Sequence, residues 1–141
     1  MSESPTTDAA ARAADRPLSP HILAWRWHVT MATSILHRLT GAALYVGALI
    51  LVGWALALAS GPDAYDLYAG ALGSPLGLIV LIGLSLCLFF HLANGIRHLV
   101  WDFGRGFAPK TADATAWLVL AIAVAATVAL WAWLLLRGGG A

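Results

Sequence analysis

Two short stretches hold most of the residues able to do chemistry in an otherwise apolar chain. The first is SILHRLTG at residues 34–41. If a helix begins near Thr30, then Ser34, His37, Arg38 and Gly41 stand at i, i+3, i+4 and i+7 and share one face. A hydroxyl, an imidazole and a guanidinium then converge at one end of an apolar run. A plainer account is an arginine that snorkels to the interface and a serine bonded to its own helix backbone. The second stretch is HLANGIRH at 91–98. His91 and His98 are seven apart, nearly on one face and ~10.5 Å apart along a helix axis. Gly95 lies between them, and a position without a side chain lets a flat group lie against the helix. A histidine deep in an apolar run is costly unless it is paired, ligating or near water. Neutral imidazole is a common axial haem ligand. An interhelical hydrogen bond explains His91 equally well on spacing alone. His98 stands nearer the end of its run, where a polar residue costs little. There is no Gly-rich phosphate loop, no HExxH and no nucleophile–base pair.

The elements that must position these residues follow from composition. Of 141 residues, 60% are hydrophobic and 11% charged, where a soluble domain averages roughly 25% charged. So few charges would leave a soluble monomer with large apolar patches. The chain is predicted to be an all-α integral membrane protein. Three apolar runs, at about 39–60, 76–100 and 116–136, each reach the ~20 residues needed to cross a bilayer. Inside lipid each must be a helix, because backbone groups need internal partners. No internal repeat of the transporter kind is present. Residues 1–16 are read as a mobile polar tail with no signal peptide. Residues 17–33, punctuated by Pro17 and Pro20, are read as an extended or amphipathic interfacial segment. Residues 34–137 form the three-span domain and 138–141 a short tail. The connections, 61–75 and 102–115, are read as short and polar. Cys87 lies inside a run and behaves as a small apolar residue. Trp25, Trp27, Trp101, Trp131 and Trp133 suit an interfacial belt; Trp54 and Trp117 suit belt or packing. Asp102 suits a solvated helix end, or a pair with His98 or an arginine.

The charges give the orientation. Arg12, Arg16, Arg26 and Arg38 precede or open the first span, and Arg97, Arg105 and Lys110 cluster at the end of the second. Of eight basic residues only Arg137 falls on the other side. The positive-inside rule then places the N-terminus and second connection inside, and the first connection and C-terminus outside. A net charge of +1 points to no nucleic-acid partner.

With these residues in hand the sequence resembles the cytochrome b membrane-anchor subunit of succinate dehydrogenase (complex II), the larger of its two anchors. RPLSPH at 16–21 is similar to the family's opening motif. SILHRLTG at 34–41 is similar to its SxxHRxTG motif, and HLANGIRHLVWDFGRGF at 91–107 to its HxxNGIRHLxWD signature. The third span fits by position and hydropathy. Trp25 departs from the pattern, since relatives commonly carry Tyr after SPH.

The resemblance implies a three-helix bundle packed against a second hydrophobic anchor subunit, both docked under an iron–sulfur subunit and a flavoprotein. It implies a haem b shared between the anchors, with His91 as the axial ligand to the iron. It places His37, Arg38 and His98 in the haem propionate region, and Ser34 and Arg38 at the ubiquinone-reduction site. It implies the inner (cytoplasmic) membrane of a bacterium, or the mitochondrial inner membrane, and no complete active site in this chain alone. Fumarate reductase running in reverse, a structural anchor without haem, and a free-standing membrane cytochrome are the alternatives.

Overall fold

The computed structural model describes residues 26–138. The polar tail, the RPLSPH motif, Trp25 and the last three residues lie outside the described residues. Four helices follow in order: α1, Val29–Ala59; α2, Pro62–Gly73; α3, Pro75–Asp102; and α4, Pro109–Gly138. Among the described residues α1, α3 and α4 are long and apolar enough to cross a membrane. They correspond to the three apolar runs, and no strand occurs among the described residues.

The long helices outrun the runs that announce them. α1 has 31 residues, about 46 Å at 1.5 Å per residue, against a hydrocarbon core of ~30 Å. It begins at Val29, so the last five residues of the 17–33 segment are helical. Ser34, His37 and Arg38 therefore sit in the first turns of a continuous helix, not on a loop leading into it.

The first connection is not a plain loop. It holds α2, a helix of 12 residues with Pro62 at its first turn beside Asp63. Proline suits that position because its missing N–H is not needed there, and an acidic residue suits the positive end of the helix dipole. Ala64, Tyr65, Tyr68, Ala69 and Leu72 are half-buried, a stripe at helical period. Two aspartates and two glycines obscure that stripe when the segment is read by polarity. The Tyr68 hydroxyl donates to the Ile50 carbonyl on α1 at 2.8 Å. A Cβ at Gly53 would stand 2.7 Å from that hydroxyl oxygen, so the close approach needs glycine. Ser74 then caps α3, its hydroxyl accepting from the Gly77 N–H at 3.1 Å.

α3 is the central helix, packing against α4 and against α1. The buried core is small: Phe90, Val119 and Ala123, with Phe89, Ala93 and Leu120 packed on it. Most large apolar side chains point outward, as expected where lipid or another apolar subunit is the solvent. Because α1 and α3 run in opposite directions, the start of α1 meets the end of α3. Arg26, Arg38, Arg97, Arg105 and Lys110 thus gather at one end of the bundle, and Arg137 ends α4 at the other.

Candidate functional site

The facing stretches of α1 and α3 bring three histidines together. The rings of His37 and His91 stack with centroids 3.9 Å apart and planes 9° from parallel. His98 lies 5.2 Å from His37, tilted by 47°, and meets Trp101 edge-on at 5.1 Å. His37 stands between the two α3 histidines, which fits their seven-residue spacing.

The hydrogen bonds of His91 decide its tautomer. Its Nδ1 is 3.2 Å from the His37 carbonyl oxygen and 3.2 Å from Thr40 Oγ1. A carbonyl can only accept, so Nδ1 carries the proton. The Thr40 hydroxyl donates to the same carbonyl at 3.0 Å, leaving its oxygen to accept from Nδ1. Nε2 then holds a lone pair and makes no hydrogen bond among the described residues. The interhelical bond weighed as one explanation of His91 is present, but it uses only Nδ1. An imidazole whose Nδ1–H is tied to a backbone carbonyl, with Nε2 free, is the usual preparation of a metal-ligating histidine.

Glycines shape the surroundings. A Cβ at Gly41 would lie 3.1 Å from His91 Cε1, so Gly41 is what lets the ring settle against α1. A Cβ at Gly95 would meet only His37 Cε1, at 4.0 Å, leaving room for a flat group beside the histidine wall. Two buried polar atoms here, His37 Nδ1 and Asn94 Nδ2, have no partner among the described residues. Such orphans are rare in a finished structure and mark places where a further group belongs. The residues present therefore fit a haem: an axial nitrogen, a position without a side chain at Gly95, and His37 Nδ1 without a partner among the described residues.

Ser34 and Arg38 stand one turn apart on α1, Ser34 half-buried and Arg38 exposed. Thr33, Thr40, Ser85, Thr115 and Thr127 each bond back to a carbonyl of their own helix. Ser34 makes no such bond among the described residues, so its hydroxyl is free to donate. Arg38 forms no ion pair among them either.

Arg97, one of the basic residues at the end of the second span, stands apart from His37 and Arg38. It is only 6% exposed and faces the junction of α1, α3 and α4. Its Nε donates to Thr115 Oγ1 at 3.0 Å, and its two terminal nitrogens reach the Ala112 carbonyl at 2.9 Å and Thr33 Oγ1 and Asn94 Oδ1 at 3.4 Å each. Its guanidinium also lies 4.0 Å above the Trp101 ring. Six residues separate Arg97 from His91, which turns it away from the histidine face at 3.6 residues per turn. Asp102 is exposed and pairs with neither His98 nor an arginine among the described residues. Thr40 and Asn94, which spacing did not single out, belong to the site. Both lie inside the two chemical stretches, three residues after His37 and after His91 respectively.

Comparison with known proteins gives a consistent result. A family model described as succinate dehydrogenase/fumarate reductase transmembrane subunit matches residues 12–130. The chain is 39% identical over 116 residues to a succinate dehydrogenase cytochrome b556 subunit of Rickettsia felis, covering 82% of this chain and 90% of that one. It is 35% identical over 114 residues to the cytochrome b556 subunit of Paracoccus denitrificans, covering 81% and 88%. It is 38% identical over 118 residues to a mitochondrial cytochrome b560 subunit of Sus scrofa, covering 82% and 70%.

Proposed function

The chain belongs to the succinate dehydrogenase/fumarate reductase transmembrane subunit family, and from that premise we propose that it holds a haem b together with a second anchor subunit and forms part of a ubiquinone-reduction site. The observation that carries this is the state of His91: Nδ1 is tied to the His37 carbonyl and Nε2 makes no hydrogen bond among the described residues, with Gly95 open one turn further along the same helix. In the assembled complex the iron–sulfur and flavoprotein subunits dock at the end of the bundle that gathers the basic residues. That end faces the cytoplasm in a bacterium, with the N-terminus inside.

His91 would bind the iron through Nε2, and His37 and His98, with Arg38, would meet the propionates. A bound haem b supplies a one-electron carrier at this depth. The rest is done by the chain itself. The His37 carbonyl and Thr40 hold the His91 ring in one orientation and one tautomer. The Ser34 hydroxyl donates to a quinone carbonyl oxygen. Arg38 places positive charge where negative charge grows on that oxygen as electrons arrive. The protons that complete reduction come from water, from a residue on another subunit, or by relay through Ser34.

The test is made on the assembled complex. His91→Ala should abolish or alter the haem b spectrum, and an unchanged spectrum and haem content would remove the ligand assignment. Ser34→Ala and Arg38→Leu should each lower quinone reduction by on the order of a hundredfold, as for loss of one preorganised donor. Succinate oxidation by an artificial acceptor should persist. Equal loss of both activities in an intact complex would place the quinone elsewhere.

A further inference from the structure

On the side of α3 away from His91, an apolar groove runs between α3 and α4. Phe89, Leu92, Ile96 and Val100 form one wall, Leu118 and Ile122 the other, around a cavity of about 350 Å³. At ~100° per residue these α3 positions are turned 100° or more from His91. From Phe89 to Val100 the groove follows about 16 Å of helix, from mid-span to the basic end of the bundle.

The groove does not stop at Val100. That residue also lines a second cavity, of about 450 Å³, with Phe103 and Arg105. The turn after α3 fixes the junction: the Arg105 N–H donates to the Val100 carbonyl at 3.3 Å, and Gly104 and Gly106 adopt φ of 74° and 82°. A long apolar slot thus opens into a cup carrying an exposed guanidinium. Arg97, the other cation at this level, is committed to Thr115, Asn94, Thr33 and Ala112. Arg105 forms no ion pair among the described residues, and Asp102 on the same turn does not claim it.

We propose that this groove is a binding site for an anionic glycerophospholipid, with one acyl chain along the α3–α4 slot and the phosphate at Arg105. Apart from Arg97, Trp101 and Thr115 toward its basic end, the slot is lined by apolar side chains, so it suits a hydrocarbon chain and not a polar cofactor. The cation sits where a headgroup lies, at the inner boundary, and basic sites between transmembrane helices on that side select anionic lipid. A phosphate in the cup would supply the counter-charge that Arg105 lacks among the described residues. The proposal goes beyond the haem and quinone reading. It borrows from it only the expectation that the second anchor covers the histidine face, leaving this face to lipid.

The test uses the assembled complex in detergent with equimolar phosphatidylglycerol and phosphatidylethanolamine, lipids being counted by native mass spectrometry. The unaltered complex should retain phosphatidylglycerol over phosphatidylethanolamine by about fivefold, from ~1 kcal/mol per basic residue near the surface. Arg105→Gln should erase that preference. Ile96→Trp from one wall and Ile122→Trp from the other should each expel the lipid. Preference surviving Arg105→Gln, lipid surviving both tryptophans, or a partner side chain found in the groove would overturn the site. Haem content measured on the same samples separates this result from the His91 assignment, since the lipid pattern stands or falls without it.

Discussion

At His91 the two nitrogens of one ring meet different demands. Nδ1 is consumed by the His37 carbonyl and Thr40, 3.2 Å from each, while Nε2 is left free. The ring keeps this pose because Gly41 offers no Cβ. Gly41→Val would push branched methyls into a space where even a Cβ stands 3.1 Å from Cε1. The expected outcome is a rotated ring and an assembled complex with little haem, measured as a pyridine haemochrome. Full haem occupancy in that variant would show that the contact does not set the ring. Thr40→Val removes only one of the two Nδ1 partners. The haem should stay, with a small shift in its midpoint potential in a redox titration, because the His37 carbonyl still fixes the tautomer.

At the scale of elements Arg97 clasps the basic end of the bundle. It is one side chain bonded to α1 through Thr33, to its own helix through Asn94, and to α4 through Thr115 and Ala112. Arg97→Ala leaves buried acceptors without a donor, at a cost of about 1–3 kcal/mol. A lower thermal midpoint for helix loss in detergent is expected. Arg97→Lys keeps the charge but not the planar fork, so it should recover only part of that loss. A midpoint equal to the unaltered protein's in both variants would mean the clasp bears no load. The polar types in the two chemical stretches were legible from sequence. Arg97's true neighbours were not, because Thr33 and Thr115 lie 64 and 18 residues away and only the helix crossing brings them in. α2 is a milder case. Its proline, acidic first turn and apolar stripe were all present in the sequence, but its packing on α1 through Tyr68 is what makes the stripe meaningful.

For the molecule as a whole, the distribution of charge argues for one orientation. Placing the basic end inside predicts opposite labelling of two sites in a Cys87→Ser background. Asp66→Cys on α2 should react with a membrane-impermeant maleimide added to intact spheroplasts. Phe103→Cys, after α3, should react only once the membrane is opened. The reverse pattern would invert the topology. The same argument explains why so few large side chains are buried. The described core is little more than Phe90, Val119 and Ala123, so most of the large apolar side chains of the described residues are left facing outward.

What the sequence determined by itself was the set of spans, the bias of charge to one end, and the residue types for a ligand and a hydroxyl–guanidinium pair. Those properties depend on local hydropathy and on periodicity within one helix, which a linear string carries directly. The tertiary structure decided which nitrogen of His91 is free, that His37 stacks on it, and that Arg97 turns away to join three helices. It also decided that the face opposite the histidines carries an open groove. These depend on the angle and register at which separate helices cross. That geometry is set by contacts such as Gly41 against His91 and Tyr68 against Gly53, which no spacing within a single segment records.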